Sequence, residues 1–135
     1  MVIEYLCNVG YRSGHEIGAY LVGIQEDLNA IRNKKIYLFG AGENGFLAKT
    51  ILQERGFKIS GYVDNNVKMK GKHIGNLEIF PVKDLLDDTN AYFVICVSEK
   101  NIAGARLQLL VNRIRSFSIF VRMNGHSFMS EDIAL

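Results

Sequence analysis

The sequence predicts an α/β domain built on a parallel sheet, and three observations carry that prediction. Short apolar runs rich in β-branched and aromatic residues alternate with longer segments of helical apolar spacing. The first strong run, residues 36–39, leads directly into the glycine pattern Gly40-x-Gly42-x-x-Gly45. After the intervening helix, a second strand ends at Asp64, nineteen positions beyond Gly45. This order of strand, glycine turn, helix, strand and acidic residue is typical of a mononucleotide-binding β-α-β unit.

Each glycine of the turn has a separate expected role. Gly40 allows the tight turn after the strand, Gly42 lets a phosphate approach the backbone, and Gly45 lets the helix pack closely on the strand. Glu43 and Asn44 complete the expected phosphate loop, where unpaired N–H groups and the helix dipole favour an anion. The Glu43 carboxylate suits the dipole but would repel a pyrophosphate unless it points away. In the alternative, the glycines have only a structural role in the turn and no ligand binds.

We expect five parallel strands in the order 3-2-1-4-5, with helices on both faces of the sheet. These strands are residues 36–39, 58–63, 77–80, 91–97 and 117–121. The fourth is apolar throughout, as expected for a strand buried on both faces. Because the topological switch lies between strands 1 and 4, a ligand is expected at their carboxyl ends. Val97 and Ser98 therefore join the glycine turn as candidate binding residues.

Three helices are predicted to connect the strands. The first ends at Gly56, a residue suited to the position after a helix C-cap. The second is short and follows Pro81 through Leu86. The third has Ser98 as its N-cap. Its predicted buried face consists of Ala103, Leu107, Leu110 and Ile114.

An N-terminal amphipathic helix is predicted over residues 14–33, after a short apolar lead-in. Ser13 and Glu16 have the spacing of a capping box. An apolar stripe with the spacing 4-3-4-3 follows, formed by Ile17, Leu21, Ile24, Leu28 and Ile31. We expect this helix to pack on its own domain. In the alternative, it forms the interface of a homodimer or of a larger enzyme.

Length, charge and cysteine usage limit the classes of protein. The 135 residues suit one nucleotide-binding domain, 34–122, flanked by the segment 1–33 and a tail, 123–135. A net charge of +2 is too small to predict nucleic acid as a main partner, and no apolar stretch approaches the roughly 20 residues of a membrane span. The start of the chain lacks a signal-peptide pattern, and Cys7 and Cys96 are far apart in sequence. These features predict a cytoplasmic protein with reduced thiols.

No pattern in the sequence identifies a catalytic site. A dehydrogenase needs a second region that holds the substrate and supplies an acid or a base, whereas the predicted sheet uses nearly the whole chain. Neither a Tyr-x-x-x-Lys pair nor a Gly-x-Ser-x-Gly elbow occurs. His15, His73 and His126 are far apart and have no metal-ligand spacing with the cysteines. We therefore expect binding without a complete catalytic site, and no metal site.

The glycine turn, residues 61–66 and residues 70–81 occur in an order that resembles Rossmann-like modules of bacterial nucleotide-sugar and capsular-polysaccharide enzymes. Two groups are most similar: the N-terminal domains of nucleotide-sugar epimerases and dehydratases, and those of sugar O-acyltransferases. The C-terminal domain of sugar C-methyltransferases shares the middle motif. The resemblance implies a phosphate loop and an acid after strand 2. The residues concerned are Gly40, Gly42, Glu43, Asn44, Gly45 and Asp64, with Asn65 beside them.

NAD is the expected cofactor, because the charge of Asp64 favours a free ribose 2′-hydroxyl over a 2′-phosphate. A UDP-sugar, as in the acyltransferase- or methyltransferase-like enzymes, is the first alternative. S-adenosylmethionine is another, because methyltransferase folds share a glycine loop and an acid after strand 2. A module that keeps the fold for a structural or oligomerisation role and binds nothing is the alternative from a different class.

Overall fold

A mixed sheet of eight strands forms the centre of the computed structural model, which describes residues 5–12, 17–23, 31–114 and 117–124. The strands are β1 (Tyr5–Arg12), β2 (Ile17–Gly23), β3 (Lys35–Phe39), β4 (Ile59–Val63), β5 (His73–Ile74), β6 (Leu77–Phe80), β7 (Ala91–Ile95) and β8 (Phe117–Asn124). Their order across the sheet is β1-β2-β8-β7-β3-β4-β6-β5. Strands β8, β7, β3, β4 and β6 pair in parallel. The remaining pairs are antiparallel.

The predicted α/β fold with its parallel core is confirmed. Strands 3-2-1-4-5 of the sequence prediction correspond to β6, β4, β3, β7 and β8, which are adjacent in that order. The prediction lacked three strands. One is β5, which pairs with β6 at one edge, and the others are β1 and β2 beyond β8.

The predicted amphipathic helix over 14–33 is wrong where the structure describes that segment. Residues 17–23 form β2, which pairs with β1 on one side and with β8 on the other, and residues 31–33 lie in a turn. Residues 14–16 and 24–30 lie outside the described residues. A spacing of four places two residues, such as Ile17 and Leu21, on one face of a strand as well as of a helix. The predicted interface with a partner depended on this helix, so the structure gives no support for it.

Two helices cover opposite faces of the parallel strands. Helix α1 (Glu43–Glu54) connects β3 to β4, and helix α2 (Ile102–Val111) connects β7 to β8. Short 3₁₀ helices occur at Val67–Met69, Val82–Leu85 and Glu99–Asn101. The apolar side of α1 packs in one core cluster, whereas Val82–Leu85 and α2 pack in the other. The buried residues of α1 are Gly45, Leu47, Ala48, Ile51 and Leu52.

Gly56 follows the C-cap of helix α1, Arg55, as predicted. This glycine has a φ of +85°, and the next residue, Phe57, donates its N–H to the carbonyl of Leu52 (3.0 Å). A glycine in the left-handed region with this hydrogen bond is a common helix C-terminus, because a side chain there would be strained.

The predicted buried face of α2 is wrong. The helix buries Ile102, Ala105 and Leu109. The exposed fractions of Leu107 and Val111 are 62% and 72%, and Ala103 and Leu110 are also exposed; only Ile114, beyond the helix, packs against the core. Because α2 carries apolar residues around most of its circumference, apolar spacing alone does not select one face.

A turn at the amino ends of β3 and β7 is held by Asp88. Its Oδ1 accepts the N–H of Asn90 (2.9 Å) and its Oδ2 lies 3.2 Å from Nζ of Lys35. The hydrogen bond from Asn90, followed by that from Lys35, holds the pKa of Asp88 below its ordinary value. A lowered folded-state pKa gives stability that is present above the unfolded-state pKa, about 4, and is lost as the pH falls through the folded-state pKa.

We therefore expect Asp88→Asn to be less stable than the wild type at pH 7 and the difference to close as the pH falls below about 4. Urea unfolding of both proteins at several pH values measures this. Asp87→Asn is the matched control, since Asp87 is exposed in the same turn and makes no hydrogen bond or ion pair with the described residues. A gap between Asp88→Asn and the wild type that is independent of pH would contradict the role of the charge.

Candidate functional site

The glycine turn lies at the carboxyl end of β3, directly against the segment that follows β7. Gly40 has a φ of +126°, and a Cβ built on it would lie 3.0 Å from backbone atoms of Cys96 and Val97. The N–H of Gly40 donates to the carbonyl of Val63 at the end of β4 (3.2 Å). Both the dihedral angle and the close approach require glycine at this position. The structure thus brings Gly40 and Val97 together at the topological switch, where the sequence places them.

Gly42 faces open space at the start of α1. A Cβ on this residue would have no atom within 4 Å, and Gly42 is the N-cap of the helix without any side-chain cap. The hydrogen bonds of the helix begin with the N–H of Phe46 donating to the carbonyl of Gly42 (3.0 Å). Among the described residues, no backbone carbonyl accepts from the N–H of Asn44 or Gly45. The helix therefore presents an uncapped amino end, which favours an anion.

Gly45 allows the first turn of α1 to pack on the glycine turn. A Cβ on Gly45 would collide with the carbonyl oxygen of Gly40 and would lie 3.3 Å from Cε1 of Tyr62. No side chain fits between the two backbone segments. The three glycines thus form a tight turn, an open stretch of backbone and a close packing contact, and the approach of a phosphate to Gly42 stays a prediction.

Glu43 occupies the exposed first turn of α1, next to this opening. Its carboxylate interacts favourably with the positive end of the helix dipole. The same charge opposes a second anion at this place. Of the predicted loop residues, Glu43 is therefore the one whose side chain weakens an anion site.

The side chains beneath the turn are Tyr62 and Cys96, which are both buried. Burial, and to a smaller degree the neighbouring Cys96, raises the pKa of the Tyr62 phenol, and burial raises that of the Cys96 thiol. The thiol donates to the carbonyl of Val94 (3.3 Å), and the Tyr62 hydroxyl has no hydrogen-bond partner among the described residues. Both groups stay protonated near neutral pH. Neither supplies a nucleophile, which agrees with the view of Cys96 as a small apolar side chain.

Asp64 lies half-buried at the carboxyl end of β4, as predicted, and part of its carboxylate serves the local turn. Oδ1 accepts the N–H of Asn66 (2.9 Å), and the N–H of Asp64 itself donates to the carbonyl of Phe80 (3.0 Å). The second oxygen, Oδ2, has no hydrogen bond to a described residue. Asp64 thus has a structural use as a turn former and keeps one oxygen for another donor.

Asn65 links three elements, because each end of its side-chain amide makes one hydrogen bond. Its Oδ1 accepts the N–H of Val82 (3.1 Å), and its Nδ2 donates to Oε1 of Gln108 on α2 (2.7 Å). Sequence reasoning missed both partners. No local signal could have found them, because they lie 17 and 43 positions away along the chain.

Ser98 is exposed after β7 and precedes the 3₁₀ helix Glu99–Asn101 as its N-cap. Its Oγ accepts from Nδ2 of Asn101 (2.9 Å), and the hydroxyl makes no cap hydrogen bond to the backbone. Helix α2 begins only at Ile102, so the predicted N-cap position of Ser98 holds for the 3₁₀ helix that leads into α2.

A cavity of about 250 Å³ opens next to Asn65, between the loop after β4, the 3₁₀ helix Val82–Leu85 and α2. Amides and apolar side chains form most of its lining, which includes Asn65, Gln108, Asn112, Val67, Pro81 and Val82. Lys70 and Lys83 complete the lining, and Nζ of Lys70 pairs with Asp84 (3.1 Å). The sequence had given no reason to select Gln108, Asn112 or Lys83.

Within the described residues, no group of three His, Cys, Asp or Glu side chains could hold a metal ion. His73 is exposed in β5, whereas His15 and His126 lie outside the described residues. None of the helices in this part of the chain is both long and apolar enough to cross a membrane.

Comparison with known proteins places the chain in a family. The model of a family described as the CoA-binding domain matches residues 31–122. Among curated proteins, none shows a significant match.

Two solved structures resemble the fold. A Rex-family repressor, RSP, superimposes with a TM-score of 0.51 at 20% sequence identity. The match covers 67% of this chain and 46% of the repressor, so this chain spans about half the length of that protein. UDP-D-quinovosamine 4-dehydrogenase from Vibrio fischeri gives a TM-score of 0.45 at 18% identity, covering 75% of this chain and 98% of the other. At 20% identity, the likeness to the repressor shows the fold alone, which is Rossmann-like.

Proposed function

The chain belongs to the CoA-binding domain family, and we propose that it binds a dinucleotide cofactor, with NAD as the favoured ligand. The observation that carries the proposal is the open, uncapped start of α1 at Gly42, between the carboxyl ends of β3 and β7. In open α/β sheets, ligands bind at this switch point, and a diphosphate receives hydrogen bonds from the helix N-terminus.

The diphosphate lies, in this proposal, on the backbone of Gly42, Asn44 and Gly45. No side chain at Gly42 blocks the approach, and the N–H groups of Asn44 and Gly45 have no carbonyl acceptor in the described part of the chain. Hydrogen bonds to a charged acceptor contribute about 1.5–3 kcal/mol each. Glu43 must turn its carboxylate towards solvent, which its exposed position allows.

Asp64 is the residue that favours NAD over related nucleotides. Oδ2 is the atom we assign to the ribose of the adenosine half, whose 2′- and 3′-hydroxyls are both free in NAD. NADP has a phosphate on the 2′-oxygen and CoA has one on the 3′-oxygen, so a carboxylate beside the ribose repels both. CoA is the second candidate ligand, because the family match supports it.

We expect the wild-type protein to bind NAD at least tenfold more tightly than NADP or CoA, and Asp64→Asn to remove most of that preference. Asparagine keeps Oδ1 for the N–H of Asn66 and removes only the charge, so the turn is preserved. A charged hydrogen bond of about 1.5–3 kcal/mol corresponds to a factor of roughly 10–100 in affinity. Isothermal titration calorimetry with the three cofactors and both proteins measures this.

Asp88→Asn is the matched control. It also removes one carboxylate charge, but at the amino ends of β3 and β7, whereas Asp64 lies at the carboxyl end of β4. If CoA bound more tightly than NAD and NADP, and if Asp64→Asn left the affinity for CoA unchanged, CoA would replace NAD as the proposed ligand. Binding of none of the three by a folded protein would contradict the nucleotide site itself.

The proposal also covers the metabolic role of the protein, its location in the cell and its partners. The motif order resembles modules of nucleotide-sugar enzymes, so we propose a role in nucleotide-sugar metabolism, with a UDP-sugar as the ligand to test beside the cofactors. We propose the cytoplasm as its location, which fits the buried, free thiol of Cys96. The prediction that nucleic acid is not a main partner rests on the small net charge and stays a prediction.

A further inference from the structure

The cavity beside Asn65 has a size and a lining that suit one flat ring system. Its volume of about 250 Å³ lies below the roughly 300–1,000 Å³ of sites that enclose a whole drug-sized ligand. Val67, Pro81 and Val82 give apolar surface, and Gln108 and Asn112 give amide groups. A nucleobase has apolar faces and a polar edge, so it matches this combination.

Two hydrogen bonds fix the orientation of the two amides. Oε1 of Gln108 accepts from Nδ2 of Asn65 (2.7 Å), which leaves the amino group of Gln108, Nε2, as a donor. Nδ2 of Asn112 donates to the carbonyl oxygen of Gln108 (2.8 Å), which leaves Oδ1 of Asn112 as an acceptor. These bonds leave one donor and one acceptor on two residues that line the cavity, and neither amide can flip without losing its hydrogen bond.

The two amides share one face of α2 with a glycine. Gly104, Gln108 and Asn112 are spaced by four positions, and a Cβ on Gly104 would meet no atom within 4 Å. This face of the helix is open at Gly104 and polar at the two amides. Asn65, which lines the cavity, directly follows Asp64 in the chain.

We infer that this cavity is a base-selective subsite in which Gln108 and Asn112 recognise adenine. The exocyclic 6-amino group of adenine donates to Oδ1 of Asn112, and a ring nitrogen accepts from Nε2 of Gln108. Hypoxanthine has a carbonyl at position 6 and a protonated N1, so it presents the opposite pattern. The inference rests on the proposed function, because the base enters the cavity as part of a nucleotide whose ribose is at Asp64.

The charges of Lys70 and Lys83, which line the cavity, favour a base over a phosphate group as its occupant. Lys70 is paired with Asp84, so its charge is largely balanced, and Lys83 is exposed. A phosphate subsite would need unbalanced positive charge within the cavity. A phosphate as the occupant is therefore an outcome of the test and not part of the inference.

The test compares NAD with nicotinamide hypoxanthine dinucleotide by calorimetric titration of the full chain. We expect the wild type to bind NAD about tenfold more tightly, because a matched pair of hydrogen bonds to a base edge discriminates by roughly that factor or more. Gln108→Glu keeps an oxygen for Asn65 and replaces the donor by an acceptor, so the preference for NAD is expected to vanish. Asn112→Leu is a second variant with the same expected loss.

Gln53→Glu is the matched control, since Gln53 is exposed on α1 and the variant adds the same charge. It should keep the tenfold preference, whatever its effect on overall affinity. Circular dichroism confirms that each variant is folded.

Equal affinities of the wild type for the two dinucleotides would overturn the inference and leave the proposed function standing. Tighter binding of CoA than of NAD, lost in Lys83→Gln, would also overturn it and assign the cavity to a phosphate. Binding of neither dinucleotide would overturn both the inference and the proposed function.

Discussion

Gly45→Ala is expected to lower the free energy of unfolding by about 3 kcal/mol, the upper part of the range for inserting a group into a packed site. A methyl group there would collide with the carbonyl oxygen of Gly40, which is backbone and cannot rotate aside. Helix propensity alone predicts the opposite sign, because alanine stabilises a helix by about 0.5–1 kcal/mol relative to glycine. The sign of the change therefore shows whether packing or propensity dominates at this position.

Gly42→Ala is the matched control for this experiment, because the same methyl group would enter open space three positions earlier. We expect it to change stability by about 1 kcal/mol or less, the usual range for such an N-cap exchange. Urea denaturation of the two variants and the wild type measures both effects. Equal destabilisation by Gly42→Ala and Gly45→Ala would contradict the close contact between α1 and the glycine turn.

Gly42→Val is expected to weaken NAD binding at least a hundredfold while the protein remains folded. The branched side chain fills the space through which a diphosphate would reach the amino end of α1. At the N-cap, valine is less favourable than glycine, and the cost to stability should be about 1 kcal/mol. Calorimetric titration gives the affinity, and thermal unfolding shows that the fold is kept.

The smaller side chain of Gly42→Ala provides a graded comparison in the same titration. Its affinity for NAD should fall between those of the wild type and the valine variant, because one methyl group fills only part of the opening. Unchanged binding by a folded Gly42→Val protein would move the diphosphate away from the glycine turn.

The central unit was predictable because its signals are local in the sequence. Residues 36–39, the three glycines and Asp64 follow each other within one β-α-β crossover, and the known handedness and order of such crossovers then fix the parallel strands. The α1 side chains that pack on the sheet also follow from a simple 3.6-residue period.

The N-terminal strands were not predictable from the same kind of signal. Strand β2 pairs with its sequence neighbour β1 on one side, and on the other it pairs Ile17 with Asn124 and Gly23 with Ser118, at the opposite end of the chain. Without that partner, apolar residues four positions apart fit a helix equally well. Tertiary context overrides the local pattern here.

The candidate site was predictable in its backbone and not in its side-chain partners. The positions of Gly40, Gly42 and Gly45 follow from a motif in which each glycine has a steric reason. The hydrogen bond between Asn65 and Gln108 joins the loop after β4 to helix α2, which only the fold brings together. For the same reason, the cavity and the two amides in it have no signature in the sequence.

A thermal-shift measurement of the wild type and of Gly42→Val, with NAD, NADP, CoA, a UDP-sugar and S-adenosylmethionine, tests nucleotide binding at the glycine turn most directly. A ligand at about 100 times its dissociation constant adds roughly 2.7 kcal/mol to the free energy of unfolding, which raises the midpoint of a domain of this size by several degrees. We predict such a rise with NAD for the wild type and its loss in Gly42→Val. No rise with any of the five ligands, in a wild-type protein that unfolds cooperatively, would contradict nucleotide binding and leave the glycines a purely structural role.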